Sequence, residues 1–436
     1  MKKYYLIFLL ITTYSAIIAQ NEVDSEWSEN YVLLKNSSEG EYLIRIGDVD
    51  NLGFGWEDGF NPFKGGTTNS HNFPWDMNPN DVAGMDRILL PSSYKGKYTQ
   101  CGSDGYSNSY DPVLTRPQIV KIPLHSINNA SVKEAILQVF IDDFQAPTFC
   151  SRFSSRVNGI EFKELNAILN KVDQTGPVGK LVSVKIPAYL LPELKKDTFK
   201  LYIDDPYTAS ADGFAIDFVR LIINPKIAYS GEINGNVYSC VTDEELKNAS
   251  VEIRGFGSFK SDENGKFSIK NVPAGYYVVK VSAANHQSQY NVIDVVADAE
   301  PEILEFCLGE EITLDFNGNK ITDEEQINLN KVQFAAASTE LTPDSYKELD
   351  LLVDFMKKNE EIKIELSGFT SSEGDEQENI QLSLERVNAC KRYIVEKGIS
   401  ENRVFTIGFG PANPIAPNDS QTGRLKNRRV EFGIKR

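Results

Sequence analysis

The sequence predicts a multidomain chain in which two all-β domains precede an α/β sandwich. Three observations carry that expectation. The length, 436 residues, suits about three domains. Residues 22–226 and 229–308 break into short alternating apolar stretches punctuated by Gly, Pro, Asn and Asp, the pattern of antiparallel β structure. From about residue 325 strand-period and helix-period segments take turns instead. An apolar fraction of 41% fits packed domains. The 62 acids outweigh the 45 bases and give a formal charge of −17. A surface of that sign repels phosphate backbones and anionic lipid, which argues against nucleic acid as a partner.

The first residues, MKKYYLIFLLITTYSAIIAQ, place Lys2 and Lys3 before an apolar stretch and then small residues ending at Ala19. This is the layout of a cleavable secretory signal over 1–19. Its apolar core is shorter than the roughly 20 residues that a membrane span needs. Export makes disulfides expected. Cys101 and Cys150 fall in the first region, Cys240 and Cys307 in the second, and Cys390 alone in the third, on the apolar stripe of a helix. Pairing within regions is the economical expectation. There is no Cys/His cluster, and His71, His125 and His286 are scattered, so zinc chemistry has no support.

Residues 22–226 read as a β-sandwich or jelly roll, with strands such as EYLIRIGDV, AILQVFIDDF and FAIDFVRLIIN. Acids gather at strand ends. Asp48, Asp50 and Asn51 are candidate calcium ligands, because hard cations want clustered oxygens. The EF-hand pattern fails, since Leu52 and Gly59 stand where it requires an oxygen ligand and a bidentate Glu. The competing reading is that Asp and Asn beside Gly make turns. Trp27, Trp56 and Trp75, if exposed, offer a sugar-stacking surface, although aromatic residues in β domains more often fill cores. The doublets Asp142/Asp143 and Asp204/Asp205 are the sole support for a glycan hydrolase. Neighbours on a strand face opposite ways, so neither doublet can flank one bond as acid and base. The region resembles calcium-dependent, lectin-like sandwich modules in general pattern only.

In 229–308 the Asn264-Gly265 pair predicts a tight hairpin turn, and NVPAG leads into the alternating strand YYVVKVSA. Asp262, Gly265, Phe267, Val272, Pro273, Ala274, Gly275 and Tyr276 form a DxxGxF…VPAGxY pattern. With that pattern the segment resembles the carboxypeptidase regulatory-like module. The resemblance implies a seven-stranded sandwich of immunoglobulin type acting as a spacer or docking surface. With Cys240 ending the first strand and Cys307 on the last, a disulfide clasp is expected.

In 325–436, KVQFAA reads as a strand. TPDSYKELDLLVDFMKKN reads as a helix with Thr342 as N-cap, Pro343 at its first position and a stripe of Tyr346, Leu349, Leu352/Val353 and Met356. IKIELSG alternates as a strand. SLERVNACKRYIVEKG reads as a second helix with Ser383 as N-cap, Leu382 and Val387 as a staple and Gly398 as its stop. That reading puts Arg386 in a first helical turn, where the macrodipole disfavours a cation. RVFTIGFG and RRVEFGIKR add strands, with Val430, Phe432 and Ile434 facing inward.

Phe334, Leu341, GFT, Glu373-Gly374, Asn379, Leu382, Ser383, Arg386, GFGxxxP (Gly408 to Pro414) and TGRxxNRRVEF (Thr422 to Phe432) occur in order over this segment. Together they make it resemble the OmpA-like peptidoglycan-binding domain closely. The resemblance implies an α/β sandwich that binds the diaminopimelate residue of the wall's stem peptide. The far end of that residue carries an ammonium and a carboxylate on one carbon. Arg386 matches the family arginine, whose guanidinium forks onto the carboxylate. Ser371 stands where the family has an Asp for the ammonium. A neutral hydrogen bond contributes about 1 kcal/mol against about 1.5–3 for a charge-assisted one, so the expected cost is several-fold to tenfold in affinity. Glu373 or Asp375, in the same loop, can restore the anion. Arg428 matches an arginine lining the pocket and Asn379 belongs to the same set, whereas Asn427 and Arg429 read as structural.

The expected function is that of a non-enzymatic, periplasmic protein associated with the outer membrane and cell wall. It holds peptidoglycan non-covalently through its last domain and tethers an outer-membrane or envelope partner. The alternative is a lectin-like, or glycan-degrading, role for the first domain.

Overall fold

The computed structural model describes residues 27–72, 84–94 and 118–435, apart from 29, 128–129, 175, 211, 227, 323–324 and 335–337. The signal segment, Trp75 and Cys101 lie outside the described residues.

In the first domain one sheet runs in the order Tyr31–Lys35, Gly40–Ile46, Phe214–Pro225, Ala135–Asp142, Gly179–Lys185. The second sheet runs Val120–Pro123, Thr198–Asp204, Ser154–Val157, Ile160–Glu161. Ile44, Leu137, Val139 and Val182 from the first sheet share one core with Ile122, Val157, Leu201 and Ile203 from the second. The short helix Lys163–Leu169 adds Leu165, Ile168 and Leu169. The expected β-sandwich is therefore present.

The central strands of the larger sheet are buried on both faces. The reason is the chain between residues 49 and 63: Val49, Trp56 and Phe63 pack on Phe140, Leu181 and Phe218 and cover the face that the core leaves open. A register shift between Ile216 and Val219 marks a bulge at Asp217 and Phe218. Together these bring the 48–51 turn down onto Asp217.

The middle domain has seven strands in two sheets. Ser230–Ser239 lies between Lys266–Pro273 and Ile303–Leu308; Ser250–Ile253 lies between Gly257–Lys260 and Gly275–Ser282, with Gln289–Val295 beyond. Val237, Ile269 and Phe306 meet Val251 and Val279 in its core. Cys240 and Cys307 are disulfide-bonded. The Asn264-Gly265 turn is tight, with Asp262 Oδ1 accepting the Asn264 and Lys266 amides at 2.8 Å each. It is not a hairpin, however. The strands it joins, Gly257–Lys260 and Lys266–Pro273, belong to different sheets.

The first two domains meet at a parallel pairing of Tyr276 with Val182. A Cβ on Gly275 would lie 2.6 Å from Ser183 Oγ and 2.8 Å from the Leu181 carbonyl. The glycine of the VPAG text thus serves the approach of two domains.

The third domain is a four-stranded sheet in the order Gln326–Asn328, Val430–Lys435, Lys363–Phe369, Val404–Gly410, covered by the helices Pro343–Lys358 and Glu376–Glu396. Val430 and Phe432 are buried and Ile434 packs partly on the core. Phe316 and Ile321, from a small hairpin before residue 325, complete it. Cys390 is a buried free thiol that burial pushes up to about 12.

Thr342 caps the first of these helices, accepting the Ser345 amide at 3.3 Å. Leu349, Leu352, Val353 and Met356 are buried on its inner face, but Tyr346 is exposed. Two expectations are corrected. The edge strand is Gln326–Asn328, and residues 331–334 of KVQFAA are not in a strand, because Gln333 turns its N–H to Ser345 Oγ (3.1 Å) rather than to a neighbouring strand; the last two residues of that text lie outside the described residues. The second helix starts at Glu376, capped by Asp375, whose Oδ1 accepts the Gln377 and Glu378 amides at 2.9 and 3.1 Å. Ser383 is therefore no cap, and Leu382 and Val387 are no staple. Arg386 lies mid-helix, out of reach of the terminal dipole. Among the described residues no helix is long and apolar enough to cross a membrane.

Candidate functional site

The helix Glu376–Glu396 lies directly on the sheet because small residues permit it. A Cβ on Gly368 would lie 2.4 Å from the Ser383 carbonyl, and one on Gly408 would lie 2.4 Å from the Leu384 amide. Ser383 fastens the contact, donating to the Ile380 carbonyl (2.8 Å) and accepting the Gly410 amide (2.9 Å). The side chain one turn further on, Arg386, consequently reaches the end of the strand Lys363–Phe369.

There a cavity of about 260 Å³ is lined by Thr370, Ser371, Glu373, Gly374, Asp375, Glu378, Asn379, Leu382, Arg386 and Arg428. All six residues expected to bind the stem peptide line it. Arg386 is buried, its Nε donates to the Ser338 carbonyl at 3.0 Å, and its guanidinium stands 5.1 Å over the Phe334 ring. Burial first, and then the nearby Arg428 charge, push its pKa below the ordinary arginine value. Arginine remains a cation even so. Of the two acids that could have made it an ordinary surface pair, Glu385 accepts from the Gln381 side-chain Nε2 at 2.9 Å and Asp375 caps the helix.

Ser371 is buried, and its hydroxyl donates to Glu373 Oε2 at 3.3 Å. The Glu373 carboxylate also lies 3.2 Å from Arg424 Nε and 3.8 Å from Arg428 Nη1. Glu373, then, is the acid that reaches the place of the missing Asp. Asp375 is committed to its amides, so the expectation that it swings in is corrected.

Asn379 faces the cavity but spends both N–H bonds on the loop, donating to the Glu373 and Asp375 carbonyls at 2.9 Å each. It holds the loop's shape. Asn427 does the same for another loop: its Oδ1 accepts the Ile415 and Ala416 amides and its Nδ2 donates to the Ala416 carbonyl. It braces residues 415–418. Arg429 pairs with Glu431 at 2.6 Å and lies 3.7 Å over Phe369. Glu378, which lines the pocket, and Arg424, which pairs with Glu373, were not among the expected site residues. For Arg424 its place in the TGRxxNRR text was the available signal.

In the first domain, carboxylate oxygens of Asp48, Asp50, Asp86 and Asp217 lie within 4.8 Å of one another. Two of the three expected metal ligands, Asp48 and Asp50, belong to this cluster. Asn51 adjoins it, its backbone N–H donating to Asp217 Oδ2 at 3.2 Å. Asp86 and Asp217 were missed. The signal for Asp217 was an acid inside the otherwise apolar FAIDFVRLIIN. Burial, followed by the charges of Asp50 and Asp48, raises the Asp217 pKa well above the usual carboxylate range.

Asp142 accepts from His71 Nε2 at 3.0 Å. Burial lowers the His71 pKa, but the Asp142 contact outweighs it and the net shift is upward. Asp204 accepts from the Ser92 amide (2.6 Å) and the Tyr202 hydroxyl (2.8 Å), and Asp205 from the Arg152, Tyr207 and Thr208 amides. These are loop braces in geometry. Trp27 is buried beneath the Arg87 guanidinium, and Trp56 is half-buried and stacked on Phe60. Neither presents the open face that sugar stacking requires.

A four-stranded α/β sandwich with an arginine-floored pocket at a strand end defines the class of the third domain, and comparison with known proteins agrees. Residues 333–428 match the family model of the OmpA family, and residues 232–308 match that of the carboxypeptidase regulatory-like domain. The chain is 35% identical over 103 residues to the peptidoglycan-binding protein ArfA of Mycobacterium tuberculosis (strain ATCC 25618 / H37Rv). It is 33% identical over 103 residues to outer membrane porin F of Pseudomonas fluorescens. Each match covers 24% of this chain and 32% of the relative, so the chain spans about a third of the length of these relatives. Among solved structures it resembles the C-terminal domain of Helicobacter pylori MotB, with 26% identity, a TM-score of 0.23, and coverage of 24% of this chain and 83% of that one.

Proposed function

We propose that the third domain binds peptidoglycan non-covalently, by the zwitterionic end of the diaminopimelate residue in the stem peptide. Arg386 holds the carboxylate and Glu373, beside Ser371, faces the ammonium. One observation carries the reading: side chains from the 371–375 loop, the helix Glu376–Glu396 and Arg428 close on a single cavity of about 260 Å³ with opposite charges on its walls. A site for a group bearing both charges on one carbon needs both signs at a fixed spacing. The OmpA-family match and the similarity to a peptidoglycan-binding relative support peptidoglycan as the ligand.

On this reading the chain is a periplasmic tether. Its wall-binding domain stays on the murein while the two β domains engage an outer-membrane or envelope partner. We read it as non-enzymatic, because the Asp204/Asp205 doublet is held in hydrogen bonds to loop amides and neighbours on a strand cannot flank one bond as acid and base. The test is cosedimentation of the mature chain with isolated sacculi, with free diaminopimelate-containing stem peptide as competitor. Pelleting that the peptide reverses is the expected result. A chain that remains in the supernatant, or pelleting that the peptide leaves unchanged, removes the reading.

A further inference from the structure

The four carboxylates in the first domain come from three separate segments. Asp48 and Asp50 lie on the turn after the strand Gly40–Ile46, Asp86 directly precedes the strand Arg87–Leu89, and Asp217 sits at the bulge of Phe214–Pro225. Asp86 and Asp217 are buried. Like charges brought this close out of water repel strongly unless something positive stands between them. Arg45 is one cation whose charge reaches Asp48 and Asp217, and its Nε is turned to the Gly47 carbonyl at 3.1 Å; the buried Arg87 donates from Nη1 to the Asp86 carbonyl at 2.8 Å.

A second observation points to a ligand. Asn51 is 4% exposed, and its Nδ2 donates to the Gly55 carbonyl at 2.9 Å. Its Oδ1 is buried with no hydrogen-bond partner. The backbone N–H of the same residue is held by Asp217 Oδ2 at 3.2 Å, and a buried amide oxygen can be satisfied only by a donor or a cation.

Size and charge select the ion. Oxygens bound at about 2.3–2.6 Å to one calcium lie at most about 5 Å apart, and separations within 4.8 Å fit that sphere. Magnesium keeps several of its waters and takes one or two carboxylates, and zinc prefers nitrogen and sulfur. Four carboxylates and an amide oxygen form a hard, all-oxygen donor set of high negative charge.

We propose that Asp48, Asp50, Asp86 and Asp217, with the side-chain oxygen of Asn51, form a calcium site that fastens the 48–51 turn and the Arg87–Leu89 strand to the central sheet of the first domain. The site is independent of wall binding.

The mature chain, stripped with a chelator, is titrated with calcium and with magnesium by calorimetry and melted with each. One calcium per chain, a midpoint raised by calcium and restored by chelator, and weaker magnesium binding are expected. Asp86→Asn and Asp50→Asn each weaken calcium binding at least tenfold, while Asp58→Asn, on the exposed part of the same loop, does not change it. Absence of stoichiometric binding up to about 10 mM calcium, above the weakest extracellular calcium modules, overturns the proposal. So does calcium affinity unchanged in both Asp86→Asn and Asp50→Asn. Because the wild-type titration needs no variant, a misfolded Asp86→Asn does not protect the idea.

Discussion

The pocket of the third domain and the acidic cluster of the first are both polar constructions at strand ends, yet they are built in opposite ways. The pocket is floored by a cation, opens to solvent, and draws most of its residues from one loop and the helix that follows it. The cluster is anionic, half closed, and gathered from segments far apart in the chain. An open site of mixed charge fits a ligand that arrives and leaves. A converging set of carboxylates fits a small cation that stays. Local assembly also leaves a motif in the sequence, and distant assembly does not.

The comparison breaks most directly at Arg386. Arg386→Ala is expected to weaken sacculus binding by about 2–5 kcal/mol, roughly 30-fold or more, as for truncation of a buried charged contact. Because the side chain also ties the helix to Ser338, Arg386→Lys is the informative companion. It retains the charge but not the planar fork, and so should recover part of the binding only. Equal binding by the wild type and Arg386→Ala, measured on chains with the same melting midpoint, would place the ligand elsewhere.

Glu373→Gln comes next. Glu373 is the carboxylate beside Ser371, and it also neutralises Arg424 and Arg428. Its loss should weaken wall binding about five- to tenfold, the difference between a charge-assisted and a neutral hydrogen bond. Ser371→Asp should tighten binding only a few-fold in the wild type, since an anion already stands next to it. In the Glu373→Gln background the same substitution should gain more. If the two changes simply add, measured as a cycle of dissociation constants, Glu373 does not supply the missing charge.

How much was legible follows the same division. The fold class could be read throughout, because alternation and helical period survive without tertiary context. Ser371, Glu373, Asn379, Arg386 and Arg428 were legible because they sit in one ordered text. The helix start was not. Asp375 and Ser383 are both good N-caps, and only the fold shows that Ser383 is spent on Ile380 and Gly410. Residues 331–334 misled for a related reason: their alternation is that of a strand, but the side chain of Ser345 took the backbone group that a strand partner would need. Asp86 could not be joined to Asp48 by any spacing rule. What joins them is sheet register and a bulge, both properties of pairing rather than of local sequence.

The smallest expected effect concerns the link between the two regions. Arg156 of the first domain pairs with Glu376, the first residue of the pocket helix, and Arg152 pairs with Glu365 at 2.9 Å. The Glu376 contact, partly opposed by burial, raises the Arg156 pKa above the ordinary value. Both pairs are partly exposed to water, where such contacts contribute about 0–1 kcal/mol. Glu376 touches the first domain while Asp375, one residue earlier, caps the helix beside the cavity. Arg156→Ala should therefore loosen the docking of the first domain, seen as faster amide exchange around residues 376–380, and change sacculus binding by less than about fivefold. Calcium removal should likewise lower the first domain's melting midpoint and leave wall binding unaltered. A large loss of wall binding in Arg156→Ala, or on chelation, would mean that the tether senses what its first domain holds, and the two sites would then have to be treated as one coupled system.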